Sequence, residues 1–181
     1  MDQVKTIVAA TDLSRAALDA ARRAALIARD HGAQLELLHV IPRPIISDSW
    51  NQVLLTLKLD QRHFREAAMR ELEEQAQRIY AETTITPTIH IAEGKPFAAI
   101  AERARAIAAD LLVVGAHGEN VLLDPFLGTT AHRVLRFARV PALLVKESPA
   151  SRYERALARR TFQKTPQRRL DVRSGCSSIC I

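Results

Sequence analysis

The sequence has few aromatic residues and almost no cysteine. Aromatic residues make up only 4% of the 181 residues, so a core must be built from alanine, valine, isoleucine and leucine. Both cysteines, Cys176 and Cys180, lie near the end of the chain, which excludes a disulfide framework for the rest of it. A Cys-x3-Cys pair without further cysteine or histidine nearby is also a poor zinc site, because structural zinc takes four ligands.

Long apolar stretches are also missing. No run approaches the roughly 18 apolar residues that a membrane helix requires. The N-terminal stretch MDQVKTIVAATDLS has one lysine and a short apolar run that ends at Asp12, which is too short and too acidic for a secretory signal. These absences predict a cytoplasmic protein.

Positive charge is concentrated at the end of the chain. The net charge is +6, of which residues 1–146 carry +1 and residues 147–181 carry +5. A nucleic-acid-binding domain usually carries a basic face on the fold itself, so this distribution does not favour nucleic acid as a partner. Residues 147–181 are predicted to form a basic, flexible tail, with an acidic partner for the tail as the alternative.

Short apolar runs alternate with segments of helical spacing. The predicted strands are Val4–Ala10, Gln34–Ile41, Thr88–Ala92, Leu111–Gly115 and Val140–Val145. The predicted helices run from about Ser14 to His31, from Gln61 to Ala81, from Pro96 onward and from Thr129 to Phe137. This alternation predicts βαβ units and a parallel sheet covered by helices on both faces. In such sheets ligands bind at the carboxyl ends of the strands, so the segments that follow strands are the candidate sites.

One of these segments has the composition of a phosphate-binding loop. It reads Gly115-Ala116-His117-Gly118, then nine residues, then Gly128-Thr129-Thr130, between a buried strand and a helix. Glycine permits a close approach of the backbone, and a helix start offers unpaired amides and the positive end of the helix dipole. The pattern is neither a Walker loop nor a GxGxxG signature. A plain connection with turn glycines remains the alternative.

The same spacing, Gly-x2-Gly-x9-Gly-Ser/Thr, resembles the nucleotide loop of the universal stress protein family. Four further segments are similar to that family: IVAATDLS, LHVIP, ADLLVVGAHG and VPALLVK. The resemblance covers residues 4–146. It implies a nucleotide-binding domain over residues 1–146 with the adenine nucleotide alpha hydrolase-like fold, a three-layer, doubly wound α/β sandwich. Its five-stranded parallel sheet would have the order 3-2-1-4-5.

The resemblance also assigns a nucleotide site. In ATP-binding members the aspartate after the first strand, here Asp12, lies by the ribose and adenine, although Asp12 is equally a candidate N-cap of the next helix. A valine at the end of the second strand, here Val40, contacts the adenine through its backbone. The loop approaches the phosphates. These phosphates would hold Mg²⁺ or Mn²⁺, without a metal site made by the protein. His117 is either a ligand contact or an exposed loop histidine. The predicted nucleotide-binding residues are Ala10, Thr11, Asp12, Val40, Val114, Gly115, His117, Gly118, Gly128, Thr129 and Thr130.

The function implied is that of an ATP-binding protein with a regulatory or stress-response role. It would form a homodimer through the edge strand Val140–Val145 and act on an unidentified protein partner. One alternative is a slow ATPase or a nucleotidyl-transferring enzyme, but no lysine or arginine lies between Gly115 and Thr130 to assist phosphoryl transfer, and no catalytic residue is predicted. Another is an interaction protein with a vestigial nucleotide site that acts through the basic tail.

Overall fold

The fold was analysed in a computed structural model that describes residues 4–42, 51–116 and 128–146. Side chains of helix α2 are described from residue 62 onward, and residues 156–157 and 179–180 are described as backbone only. The elements are β1 (Thr6–Thr11), α1 (Arg15–His31), β2 (Gln34–Pro42), α2 (Asn51–Thr83), β3 (Thr88–Gly94), α3 (Pro96–Ala106), β4 (Leu111–Gly115), α4 (Thr129–Phe137), β5 (Ala142–Val145), β6 (Ala156–Leu157) and β7 (Ile179–Cys180).

The first five strands form one parallel sheet in the order β3-β2-β1-β4-β5. The predicted fold class and strand order are therefore confirmed. Two separate apolar clusters pack on the sheet, one against α1 and α2 and the other against α3 and α4. Successive residues of a strand point to opposite faces, so β1 contributes Ile7 and Ala9 to the first cluster and Val8 and Ala10 to the second.

Helix α1 packs closely on the sheet because its inner face is made of alanine. Ala20, Ala21, Ala24, Ala25 and Ala28 are completely buried. The helix begins after Ser14, whose hydroxyl accepts a hydrogen bond from the amide of Ala17 at 3.2 Å. The N-cap is thus Ser14, and the alternative assignment of that role to Asp12 was wrong.

Several elements differ in length from the prediction. Helix α2 begins at Asn51, ten residues before the predicted start at Gln61. The sequence around Asn51 has only weak helix-capping signals, so the pattern did not reveal this start. Strand β1 begins at Thr6, and the amides of Lys5 and Thr6 donate to the Asp110 carboxylate at 2.8 and 3.0 Å. Strand β5 begins at Ala142, after Pro141.

The described part of the C-terminal region is a two-residue parallel pair. Ala156 is in register with Ile179, and Leu157 with Cys180. Among the described helices, none combines the length and apolar character needed to cross a lipid bilayer.

Candidate functional site

Three apolar residues line the carboxyl end of the sheet on the face covered by α3 and α4. Ala10, Val40 and Val114 are 9%, 7% and 5% exposed and belong to the same cluster. Ala10 is in register with Val114 on β4. Thr11 is in register with His39 on β2, so Val40 lies one residue further along that strand. The sheet therefore brings these three predicted nucleotide-binding residues onto one face of three adjacent strands.

Asp12 lies at the surface of the turn between β1 and α1. Its Oδ1 accepts a hydrogen bond from the amide of Ser14 at 3.1 Å, which orients the carboxylate. The next residue, Leu13, has φ 71°, in the left-handed region that costs a non-glycine residue about 1–3 kcal/mol. Such a conformation persists only where neighbouring contacts impose it. The turn that carries Asp12 is consequently held in a defined and strained shape.

The contacts that impose this shape come from Gln75 on α2. Gln75 is 4% exposed, and its Oε1 accepts from the Thr11 hydroxyl at 3.1 Å while its Nε2 donates to the Leu13 carbonyl at 3.1 Å. The Thr11 hydroxyl also accepts from the Leu13 amide at 3.0 Å, and the Thr11 carbonyl lies 2.9 Å from Nδ1 of His39. Since a carbonyl only accepts, Nδ1 carries the proton in this contact.

These contacts revise the role expected for Thr11. Thr11 is 5% exposed, and its side chain lies on the face of β1 opposite to Ala10, where both hydrogen-bonding capacities of the hydroxyl are used within the protein. Sequence reasoning missed Gln75 altogether. The available signal was its position three residues after Leu72, on the buried face of an otherwise charged helix.

Ala116 and Gly128, at the two ends of the connection between β4 and α4, are hydrogen-bonded to each other. Gly115 is in register with Val145, and the amide of Ala116 donates to the Val145 carbonyl at 2.7 Å. The carbonyl of Ala116 then accepts from the Gly128 amide at 2.8 Å. Gly128 therefore cannot offer that amide to a phosphate while this bond is present. The predicted contacts His117 and Gly118 lie outside the described residues.

The N-terminus of α4 carries two exposed threonines. Gly128 is the N-cap, has no side chain to satisfy the helix amides, and accepts from His132 at 2.9 Å. The amides of Thr129, Thr130 and Ala131 precede the first intrahelical hydrogen bond and point outward from the helix end. Thr129 and Thr130 are exposed, and no acidic residue lies in the first turn. This end offers hydroxyl and amide donors and the positive end of the helix dipole.

A cationic side chain, Arg133, lies in the second turn of α4. Arg133 is one helical turn after Thr129, and its guanidinium lies 5.3 Å from the ring centroid of Phe97, at the start of α3.

Within the described ranges, no group of three or more His, Cys, Asp or Glu residues could hold a metal ion.

A polar cleft of about 430 Å³ lies on the other side of the β1–α1 turn. Leu13, Ser14 and Arg15 form one wall, and Glu71, Gln75 and Arg78 of α2 form the other. The cleft is on the α1–α2 side of the sheet, whereas Ala10, Val40 and Val114 face the α3–α4 side. It is therefore distinct from the predicted nucleotide site, although the two share the same turn.

Comparison with known proteins identifies relatives of this chain. Residues 3–146 match the family model described as the Universal stress protein family. A universal stress protein of Methanocaldococcus jannaschii is 31% identical over 148 residues, which cover 79% of this chain and 82% of the relative.

Solved structures agree with this assignment. Universal stress protein UspA from Lactobacillus plantarum is 26% identical, with a TM-score of 0.66, over 80% of this chain and 99% of that one. A universal stress protein solved in complex with cAMP is 25% identical, with a TM-score of 0.62, over 81% of this chain and 100% of that one. The family match over most of the chain and the shared fold lead to one conclusion: the chain belongs to the universal stress protein family.

Proposed function

We propose that this protein binds an adenine nucleotide, preferentially ATP, and that the bound nucleotide regulates its contact with a protein partner during a stress response. The observation that carries the proposal is the topological switch point at the carboxyl ends of the adjacent strands β1 and β4, where the strand order reverses. Ligands of open parallel sheets bind outside the carboxyl ends of the strands at this point. Here Asp12 follows β1, while Gly115 ends β4 and is followed along the chain by α4.

The residues at this switch point have the chemistry that each part of a nucleotide requires. The apolar face of Ala10, Val40 and Val114 suits an adenine base, and the Asp12 carboxylate suits the ribose hydroxyls. Thr129 and Thr130 offer hydroxyls and helix-terminal amides to phosphate oxygens, as anion sites at helix N-termini do. Mg²⁺ or Mn²⁺ would be held by the phosphates, because Mg²⁺ commonly binds through substrate phosphates and water. The relative solved with cAMP supports adenine-nucleotide binding.

A regulatory role fits the charges better than fast turnover does. The sequence from Gly115 to Thr130 contains no lysine or arginine, which phosphoryl-transfer enzymes use to stabilise the transition state. We propose that the nucleotide instead alters the surface around Gly115 and Gly128 that the partner protein contacts.

Calorimetric titration with MgATP tests the nucleotide site. We expect wild-type protein to bind ATP, and Asp12→Asn to bind it about tenfold more weakly, because hydrogen bonds to a charged acceptor contribute roughly twice those to a neutral one. The asparagine can still accept from the Ser14 amide, so the turn is preserved. Glu73→Gln, at an exposed position on α2, is the matched control and should bind like wild type. Absence of binding by wild-type protein at millimolar ATP would exclude this function.

We further propose that β5 pairs with β5 of a second copy. The carbonyls of Pro141 and Val145 accept hydrogen bonds from the β4 side, so by alternation the backbone groups of Ala142 and Leu144 face the other way. β5 is an edge of the described five-stranded sheet, and pairing would satisfy these groups.

Sedimentation equilibrium tests the dimer. Wild-type protein should sediment at about twice its chain mass of 20.1 kDa. Ala142→Pro removes one outward amide without affecting the β4 ladder and should shift the population to monomer. Ala142→Ser keeps the amide and should remain dimeric. A wild-type monomer at 100 µM, roughly the concentration at which weak dimers form, would exclude this interface.

A further inference from the structure

Helix α2 bonds to the β1–α1 turn through the buried side chain of Gln75. Gln75 contacts the residues on both sides of Asp12, with Oε1 on the Thr11 hydroxyl and Nε2 on the Leu13 carbonyl. The Leu13 amide closes the ring by donating to the same hydroxyl. Asp12 therefore sits between two residues that are both fixed from α2.

The chemistry of this ring requires an amide side chain. The Leu13 carbonyl can only accept, so the group that faces it must be the Gln75 Nε2, and Oε1 must then face the Thr11 hydroxyl. An apolar side chain would supply neither bond. The turn would lose the contacts that hold Leu13 at φ 71°, a conformation that a leucine does not adopt freely.

We propose that Gln75 is a positioning residue for nucleotide binding: it holds the β1–α1 turn in the shape that presents the Asp12 carboxylate to the ribose. This inference rests on the proposed nucleotide site and assigns part of its affinity to a residue that does not contact the ligand. Without Gln75, the nucleotide must order the turn as it binds, and the cost of that ordering appears as lost affinity. By linkage, a bound nucleotide strengthens the contact between α2 and the turn by the same factor.

The test is a double-mutant cycle between Gln75 and Asp12, followed by calorimetric titration with MgATP. Gln75→Met removes both hydrogen-bonding groups at similar volume and should weaken ATP binding about tenfold, the loss expected when ligand binding must replace two buried hydrogen bonds. In the Asp12→Asn background the same substitution should have less than about a threefold effect, because there is no longer a carboxylate to position.

Two controls separate positioning from general destabilisation. Gln77→Met changes an exposed glutamine on the same helix and should bind ATP like wild type. Thr83→Val removes a buried hydroxyl that donates to the Ile79 carbonyl at 2.7 Å, far along the chain from the turn. It should lower the midpoint of urea unfolding while leaving ATP affinity unchanged.

The outcomes are distinct. Wild-type affinity in folded Gln75→Met, or losses that are additive with Asp12→Asn, would overturn the positioning role while the nucleotide site stands. A wild-type protein that binds no nucleotide would overturn both proposals. If Gln75→Met does not fold, Thr11→Val breaks the same ring from β1 and replaces it in the cycle, with the same two readings.

Discussion

Replacing Thr130 by aspartate is expected to weaken ATP binding about a hundredfold, because a carboxylate facing a polyphosphate costs several kcal/mol. The same substitution should raise the free energy of unfolding by about 0.3–1 kcal/mol, since an acidic residue in the first turn interacts favourably with the helix dipole. The first turn of α4 has no acidic residue, and Thr130 is exposed, so neither effect requires repacking. Calorimetric titration and urea unfolding of the same preparation measure both quantities.

The opposite signs of these effects make the experiment informative. Thr130→Asn has nearly the same size as aspartate without its charge, and we expect its ATP affinity to stay within about threefold of wild type. Equal ATP affinities for the aspartate and asparagine variants would place the phosphates away from α4.

Replacing Arg103 by methionine is expected to lower the free energy of unfolding by about 2 kcal/mol, between the values for exposed and for fully buried ion pairs. Arg103 on α3 donates from Nε and Nη2 to the two carboxylate oxygens of Glu36 on β2, at 2.9 and 2.6 Å. The Glu36 side chain is only 9% exposed, so its charge would be left buried without this partner. The hydrogen bond to Glu36 raises the pKa of Arg103 above its ordinary value.

Urea unfolding measures this effect, with two matched variants. Arg105→Met changes an exposed arginine on the same helix and should alter stability by less than about 0.5 kcal/mol. The double substitution Glu36→Leu with Arg103→Met should recover most of the loss, because apolar replacement of a buried pair is often neutral or better. A loss as large in the double variant as in Arg103→Met would show that packing, rather than the unpaired carboxylate, is responsible.

The alternation of strands and helices could be predicted because β1, β4 and β5 are short, largely apolar runs and segments of helical spacing separate the strands. Leu111–Gly115 was predicted with its observed bounds, since Asp110 and the glycine of the loop delimit it. The prediction was weaker where tertiary contacts set the boundary. The first amides at the start of β1 bond to Asp110, which is about a hundred residues away in the sequence, and no local pattern reveals that contact.

The residues of the candidate site could likewise be predicted only where local sequence features identify them. The exposed threonines follow from a helix start, which is a local feature, whereas the predicted contacts of Ala10, Val40 and Val114 were assigned through the family resemblance. The network of Gln75 and the internal use of the Gly128 amide are not local features, because each depends on segments brought together by folding. The contacts predicted for His117 and Gly118, and the division into a domain over residues 1–146 and a flexible tail over 147–181, stay predictions.

Successive side chains of strand β1 face the two opposite helical layers. Ala10 faces the layer of α3 and α4, Thr11 faces the layer of α1 and α2, and both are followed directly by the same short turn. A ligand on one side and a protein pressing on α2 from the other would therefore act on a single segment of chain. The turn after β1 is therefore the segment through which a change in one helical layer could alter the conformation of the other.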